Sequence, residues 1–181
     1  MRISGGDWRN RTLKVPDKGT RPTSDKVRQA IFNMLNARGA VVDAVVCDAF
    51  CGSGALGLEA LSQGAASATF WDKSPQAIRV TKDNAQSLGA PAIIKSQNAA
   101  TIGPRPDTQA PFTLVFLDPP YDRGLIPQVI EALHKGNWIA PDCVFVLEMA
   151  EHENPETPGL MREQEKIYGD TKVWLAYNEP V

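Results

Sequence analysis

Short apolar runs recur along this chain, and stretches with helical periodicity separate them. Each run has the length and composition of a strand that is buried on both faces of a parallel sheet. We predict five such strands, at residues 41–47, 68–72, 92–95, 112–117 and 143–149. The run at 112–117 gives the strongest signal, and it ends at Asp118-Pro119 because proline has no N–H for a central ladder.

Capping residues mark the ends of the helices between these strands. Thr23 or Ser24 is suited to begin a first helix, which ends near Gly39. Ser74-Pro75 begins another helix, and Gly89 closes it. Two more helices are predicted, one from the glycine-rich segment after residue 51 to Gln63 and one over residues 125–135.

The C-terminal part of the chain has a hairpin pattern. Gly169-Asp170 separates residues 165–168 from residues 171–175 and predicts a two-residue turn. Five strands that alternate with helices, followed by this hairpin, predict a doubly wound α/β fold with a mostly parallel sheet and a C-terminal antiparallel hairpin. Ligands of such folds bind at the carboxyl ends of the strands, so the segments that follow the strands are the first candidates for a site.

Composition narrows the class of protein. With 181 residues, 43% hydrophobic and 22% charged, the chain is expected to form one globular domain. No apolar run approaches the roughly 20 residues that cross a bilayer, and the N-terminus lacks a signal-peptide pattern, so we expect a cytoplasmic protein without a membrane partner. Three cysteines in or beside apolar runs are typical of reduced core thiols, and no cluster with metal-ligand spacing is present.

Charge is distributed unevenly. The whole chain carries 19 basic and 21 acidic side chains, a net charge of −2 that by itself argues against nucleic-acid binding. Residues 1–28 hold 8 basic and 3 acidic side chains, a local net of 8 − 3 = +5, which leaves −7 for the remainder. We therefore predict a basic N-terminal arm over residues 1–22, folded as a hairpin on a body of residues 23–181. Such an arm suits phosphate contacts, and Trp8 within it either stacks on a base or packs against the body.

A glycine-rich segment follows the first predicted strand. Gly52-Ser53-Gly54-Ala55-Leu56-Gly57 fits the pattern G-x-G-x-x-G, and Asp72 lies twenty residues after its first glycine. Both nicotinamide dinucleotides and S-adenosylmethionine fit such a loop, with the acid accepting hydrogen bonds from ribose hydroxyls. Asp48 favours S-adenosylmethionine, because a carboxylate would repel a pyrophosphate and attract an ammonium or sulfonium group. A tight turn without a ligand is the structural alternative.

Two further segments follow strands at the same predicted edge. Asn98 and Ala99 come after the third strand, where an asparagine could bind a purine or simply belong to a loop. Asp118-Pro119-Pro120-Tyr121 follows the fourth. We predict that the Asp118 carboxylate and the Pro119 carbonyl accept the two hydrogens of an exocyclic amine and turn its lone pair toward a methyl donor, while Tyr121 stacks on a flipped base. A strand-terminating proline turn is the alternative.

Four segments together resemble the RsmD family of bacterial 16S ribosomal RNA guanine-N2 methyltransferases: residues 21–28, 48–60, 118–121 and 168–171. The resemblance implies a Rossmann-like class I methyltransferase that uses S-adenosylmethionine. It also implies a partly assembled small ribosomal subunit as substrate, and we expect a monomer. The predicted catalytic residues are Asp118, Pro119 and Tyr121; the predicted cofactor-binding residues are Asp48, Phe50, Gly52, Gly54, Asp72, Lys73, Asn98 and Ala99; and the predicted RNA-binding residues are Arg9, Arg11, Arg21 and Arg123.

Three other functions remain open at the level of sequence. The same tetrapeptide could serve methylation of a DNA adenine or a protein amide, since each presents a planar amine. A non-catalytic RNA-binding assembly factor could keep the same fold. A nicotinamide-dependent dehydrogenase would share the glycine pattern.

Overall fold

A computed structural model describes residues 1–16 and 24–179 of the chain. Within these residues, seven strands form one sheet in the order β3-β2-β1-β4-β5-β7-β6. The strands are β1 Val45–Asp48, β2 Ser67–Asp72, β3 Ala92–Ser96, β4 Phe112–Leu117, β5 Ile139–Ala150, β6 Leu160–Tyr168 and β7 Thr171–Asn178. The helices are α1 Asp25–Arg38, α2 Ala55–Ser62, α3 Pro75–Leu88 and α4 Leu125–Lys135, with a 3₁₀ turn at Ala99–Thr101.

The sheet has the predicted doubly wound topology. β1 lies between β2 and β4, and all neighbouring pairs from β3 to β5 are parallel. β7 returns antiparallel along β5 and pairs with β6 through the turn at Gly169-Asp170. The prediction of a mostly parallel sheet that ends in an antiparallel hairpin is confirmed.

The capping residues act as their sequence suggests. The Ser24 side chain accepts the N–H of Val27 at the start of α1, and Gly39 ends that helix with φ +71°. Ser74 accepts the N–H of Ala77 in α3. Gly89 closes α3 in the left-handed region. Of the two N-caps considered for the first helix, Ser24 fills the position.

Two predicted strands have different limits in the structure. The first strand begins at Val45 rather than residue 41, because Asp43 adopts φ +62° in a turn and donates its N–H to the Gly64 carbonyl at 2.9 Å. Val42 is exposed in that turn. The fifth strand begins at Ile139, four residues before its apolar run, and pairs there with Phe112 of β4. Apolar content therefore placed the start of the first strand too early and the start of the fifth strand too late.

Helices cover both faces of the sheet and enclose two apolar clusters. One cluster joins α1, α2 and α3 to the sheet, and the other joins α4 to the opposite face. Trp71 and Phe112 both contact Trp138 in the second cluster, with ring centroids 5.0 and 5.6 Å from the Trp138 ring. No helix among residues 1–16 and 24–179 is long and apolar enough to cross a membrane.

Residues 1–16, here called the N-terminal arm, fold back on themselves and lie on α2 and α3. Arg2 and Thr12 form an antiparallel bridge. Ile3 and Leu13 are buried in the first cluster, and Trp8 is partly buried against it. Trp8 thus packs against the body. The predicted boundary at residues 22 and 23 lies outside the described residues.

A buried carboxylate fastens the arm to α2. Glu59 accepts the Ser4 N–H at 2.8 Å and the Gly5 N–H at 2.9 Å, and it pairs with the Arg28 guanidinium at 3.2 Å. Glu59 and Arg28 are both fully buried. Removing one partner of such an ion pair typically costs about 3–5 kcal/mol, so this contact ties the arm, α1 and α2 into one body.

Candidate active site

Strand register brings three acidic residues to one edge of the sheet. Asp48 at the end of β1 lies beside Phe70 of β2 and Phe116 of β4. Asp72 and Asp118 each follow those partners by two residues. Parallel strands end at the same edge, so Asp48, Asp72 and Asp118 all belong to the carboxyl edge of the sheet.

Asp72 organises the segment after β1, which we call the glycine loop (residues 49–54). Its Oδ2 accepts the Gly52 N–H at 3.0 Å, and its Oδ1 accepts the Ser74 N–H at 2.8 Å. One carboxylate thus connects the glycine loop to the N-terminus of α3. Each carboxylate oxygen has a second lone pair, so Asp72 can also accept hydrogen bonds from a ligand hydroxyl.

Glycine suits each of the three positions of the pattern for a different physical reason. Gly52 has φ +53°, and a Cβ built on it meets no atom within 4 Å, so open space lies beside the loop. Gly54 has φ +78° and would place a Cβ 2.9 Å from the Thr81 methyl carbon. A Cβ on Gly57 would lie 2.3 Å from the Phe70 ring. Gly57 therefore permits close packing of α2 on β2, and Gly52 leaves the loop accessible to a ligand.

Asp48 lies beneath the loop. It is 2% exposed, and its Oδ2 accepts the Gly57 N–H at 3.0 Å in the first turn of α2. Burial raises the pKa of Asp48 to about 7, and the nearby charge of Asp72 adds to the rise, while the Gly57 hydrogen bond opposes it. A cation bound above the loop would favour the charged form of Asp48 and lower this pKa.

Side chains of α3 hold the loop from behind. Thr81 donates its hydroxyl to the Gly52 carbonyl at 3.0 Å, and Asn84 donates Nδ2–H to the Ser53 carbonyl at 2.8 Å. Both side chains are buried. The sequence-based prediction missed these two residues, although their three-residue spacing on one face of an amphipathic helix was a usable signal.

The remaining predicted cofactor residues surround this edge. Asn98 is exposed, and its Oδ1 accepts the Ala100 N–H at 3.1 Å, which begins the 3₁₀ turn. Ala99 is buried, Phe50 is partly exposed and Lys73 is exposed. The backbone of the glycine loop, the Asp72 carboxylate and the Asn98 amide together offer the donors and acceptors that a nucleoside requires.

The segment after β4, which we call the target loop (residues 118–124), is anchored through Tyr121. Asp118 is partly exposed and Pro119 is buried. The Tyr121 hydroxyl donates to Glu148 Oε1 at 3.3 Å and lies 3.2 Å from the Thr171 hydroxyl. Partial burial raises the pKa of Tyr121, and the charges of Glu148 and Asp118 add to the rise.

Glu148 and Thr171 were also not predicted from the sequence. Glu148 is a buried acid near the carboxyl end of β5, so the rule that sites form at this edge could have identified it. Thr171 begins β7, whose place beside β5 no local pattern indicates.

The second half of the target loop contacts the segment after β5. Asp122 has φ +58°, donates its N–H to Glu153 at 3.1 Å and accepts from His152 at 2.7 Å. Arg123 is exposed. The loop is thus fixed at Tyr121 and Asp122, while Arg123 faces solvent.

The predicted RNA-binding residues of the arm are exposed where the structure describes them. Arg9 is exposed, and Arg11 is exposed while donating Nη2–H to the Ser87 carbonyl at 2.7 Å. Arg21 lies outside the described residues. Within the described ranges, no group of three metal-ligating side chains comes together.

This chain is similar in sequence to a described protein family and to two methyltransferases of the same name. A family model described as Conserved hypothetical protein 95 matches residues 1–177. Ribosomal RNA small subunit methyltransferase D of Escherichia coli strain K12 is 39% identical over 184 residues, which cover 99% of this chain and 90% of that protein. The protein of the same name from Haemophilus influenzae is 34% identical over 171 residues, covering 91% of this chain and 88% of that one.

This chain is also similar to a solved structure over its whole length. The solved structure of yhhF from Escherichia coli, described as a candidate methyltransferase, is 35% identical and has a TM-score of 0.87. The match covers 100% of this chain and 99% of that one. The prediction of a Rossmann-like class I methyltransferase fold is confirmed.

Proposed function

The chain belongs to the RsmD family, and on that premise we propose that it transfers a methyl group from S-adenosylmethionine to the exocyclic N2 amine of a guanine in 16S ribosomal RNA. The names of its relatives support a ribosomal RNA substrate. One observation carries the assignment of the site: strand register brings the glycine loop and the target loop to the same edge of the sheet, on adjacent strands.

The glycine loop provides the donor's binding site in this proposal. S-adenosylmethionine, when bound, supplies an electrophilic methyl carbon on its sulfonium. Asp72 would accept hydrogen bonds from ribose hydroxyls, and the open space at Gly52 lets the backbone approach the ligand. Asn98 and Ala99 would contact the adenine, with Phe50 and Lys73 at the rim. Asp48, beneath the loop, would contribute negative charge.

The target loop prepares the amine. The nitrogen lone pair of an exocyclic amine is delocalised into the base, so the amine is a weak nucleophile. Two acceptors, the Asp118 carboxylate and the Pro119 carbonyl, would hold its hydrogens and localise the lone pair. A dedicated general base is unnecessary, because the methylated amine is acidic and loses its proton after transfer.

Tyr121 is proposed to stack on the target base. Its hydroxyl is held by Glu148 and Thr171, which restricts the ring before any substrate arrives. A side chain that is already ordered costs less conformational entropy on binding than a mobile one. The anchor therefore supports the stacking role.

The basic arm is the proposed contact with RNA phosphates. Arg9 and Arg11 are exposed on it, Arg123 is exposed in the target loop, and Arg21 is assigned the same role from sequence. We propose a monomer that acts on a partly assembled small subunit. The folded substrate would supply the shape that is recognised.

A methylation assay tests the proposal. The full chain is incubated with labelled S-adenosylmethionine and small-subunit particles from cells that lack the protein, and the RNA is digested to nucleosides for mass spectrometry. We expect N2-methylguanosine at one position. Methylated adenosine, methylated protein or methylated DNA would favour the other amine methyltransferases, and particle binding without transfer would favour an assembly factor. Binding of NADH but not of S-adenosylhomocysteine would indicate a dehydrogenase.

A further inference from the structure

The side chain of Asn84 on α3 connects two segments that the proposed function uses for different ligands. Its Oδ1 accepts the Lys14 N–H of the arm at 2.8 Å, and its Nδ2 donates to the Lys14 carbonyl at 3.0 Å. The same Nδ2 donates to the Ser53 carbonyl of the glycine loop at 2.8 Å. While the arm is docked, Asn84 is 1% exposed, so water does not compete with these partners.

The arm determines which way this amide faces. An asparagine side chain has an acceptor oxygen on one side and a donor NH₂ on the other. The Lys14 N–H requires the oxygen on its side, and this orientation leaves the NH₂ to donate to both the Lys14 carbonyl and the Ser53 carbonyl. If the Lys14 segment of the arm leaves this position, the amide is free to rotate, and the Ser53 carbonyl no longer has a donor that the arm holds in place.

Two neighbouring side chains each contact only one of these two segments, the glycine loop or the arm. Thr81, one turn earlier, bonds the Gly52 carbonyl and has no bond to the arm among the described contacts. Ser62 on α2 bonds the Trp8 N–H and the Gly5 carbonyl of the arm and has no bond to the glycine loop among them. Asn84 makes both kinds of contact.

We propose that Asn84 is a positioning residue that couples docking of the N-terminal arm to methyl-donor binding at the glycine loop. This inference rests on the proposed function, since it concerns the donor and RNA sites of that reaction. Coupling between two sites is reciprocal. RNA that holds the arm in place therefore raises the affinity of the glycine loop for the donor, and a bound donor holds the arm in place for RNA.

Hydrogen–deuterium exchange of the full chain, with S-adenosylhomocysteine as the probe, tests this coupling. In the wild type, saturating S-adenosylhomocysteine should slow exchange of the arm amides by about fivefold or more, the lower end of typical couplings. Asn84→Ala should abolish this slowing at saturating ligand, with binding confirmed by calorimetry. Thr81→Val should weaken ligand binding but retain the arm response once the site is saturated.

A second pair of variants leaves the buried core unchanged. Lys14→Pro deletes the N–H that Asn84 accepts and should abolish the response, whereas Lys14→Ala keeps that N–H, loses only the exposed ion pair to Asp83 and should retain it. Ligand binding without any arm response in the wild type, or a full response in Asn84→Ala or Lys14→Pro, would overturn the coupling alone. Absence of S-adenosylhomocysteine binding in the wild type would overturn the proposed function and the coupling with it.

Discussion

The glycine loop and the target loop share one edge of the sheet but are held in different ways. The glycine loop is fixed by partners 20 to 31 residues away, since Asp72, Thr81 and Asn84 all lie in the next β-α unit. The target loop is fixed at Tyr121 by Glu148 and Thr171, 27 and 50 residues away. The glycine loop is therefore held by β2 and α3, which follow it directly in the chain, whereas the proposed base site depends on the C-terminal strands.

The two loops also differ in how far their aspartates are exposed to solvent. Asp48 beneath the glycine loop is buried, while Asp118 in the target loop is partly exposed. A buried carboxylate supports the loop and responds to pH, whereas a partly exposed one can reach a substrate. Each region can thus be perturbed separately, and the two should respond in different measurements.

The largest expected effect is on the target loop. Asp118→Asn should lower kcat for methyl transfer about 10²–10³-fold, the range seen when a preorganised transition-state contact is lost. S-adenosylhomocysteine affinity should stay unchanged, because the glycine loop is untouched. Asp122→Asn, an exposed aspartate in the same loop, is the matched control and should retain most activity. Equal losses in both variants would remove Asp118 from the chemistry.

The next effect is a pH dependence at the glycine loop. A free aspartate has a pKa of about 4, and that of Asp48 is about 7 in the folded state. Between these values the folded state holds a proton that the unfolded state has lost, so the Asp48 contribution to the free energy of unfolding falls as pH rises. Above pH 7 the full penalty for the charged group remains.

Asp48→Asn removes this titration. Relative to wild type, its free energy of unfolding should rise between pH 4 and pH 8 by an amount on the order of 3 kcal/mol, measured by urea denaturation at each pH. Titrating groups that do not interact with Asp48 cancel in the difference between the two proteins. A difference that does not vary with pH would show that Asp48 does not titrate in this window.

A smaller effect is expected from packing beneath the same loop. Gly57→Ala places a methyl group against the Phe70 ring and should lower the free energy of unfolding by about 1–3 kcal/mol. Gly52→Ala meets no atom but keeps φ +53°, and should cost about 1 kcal/mol. Gly52→Ala should nevertheless weaken S-adenosylhomocysteine binding more than Gly57→Ala, because its methyl enters the open space. The reverse order in calorimetry would contradict this assignment.

The smallest effect concerns the arm. Arg9→Ala should reduce the slope of log affinity for small-subunit RNA against log salt by about 1, as expected for one lost phosphate contact. Lys135→Ala is the control, since α4 packs on the opposite face of the sheet from the arm. An unchanged slope in Arg9→Ala would exclude Arg9 from the RNA interface.

Most of the fold follows from local signals. Ser24 and Ser74 begin their helices through hydrogen bonds, and Gly39 and Gly89 end them through a left-handed backbone conformation, so all four depend only on neighbouring residues. The first strand was predicted correctly except for its start at residue 41, because Asp43 makes a turn that apolar content alone does not reveal. The placement of β7 between β5 and β6 is a long-range pairing, and no local pattern specifies it.

The candidate site divides in the same way. Gly52 and Asp72 were identified from the glycine pattern and its spacing to an acid, Asp48 from its place just before that pattern, and Asp118 from its place after an apolar strand. Parallel register then brings them to one edge. Asn84, Thr81, Glu148 and Thr171 were not identified, since each acts through a contact that only packing creates. Glu59 was missed for the same reason, as its partners Ser4 and Arg28 belong to separate segments.

The sequence by itself determined the succession of strands and helices along the chain, the helix caps and the chemical groups at the strand ends. These features depend on hydrophobic spacing and on short-range hydrogen bonding. Only the tertiary structure decided which buried polar side chains hold those groups in place. A buried donor or acceptor must find a partner, and the partner is chosen by the way distant segments pack. Asn84 shows this most clearly, since one amide satisfies both the arm and the glycine loop.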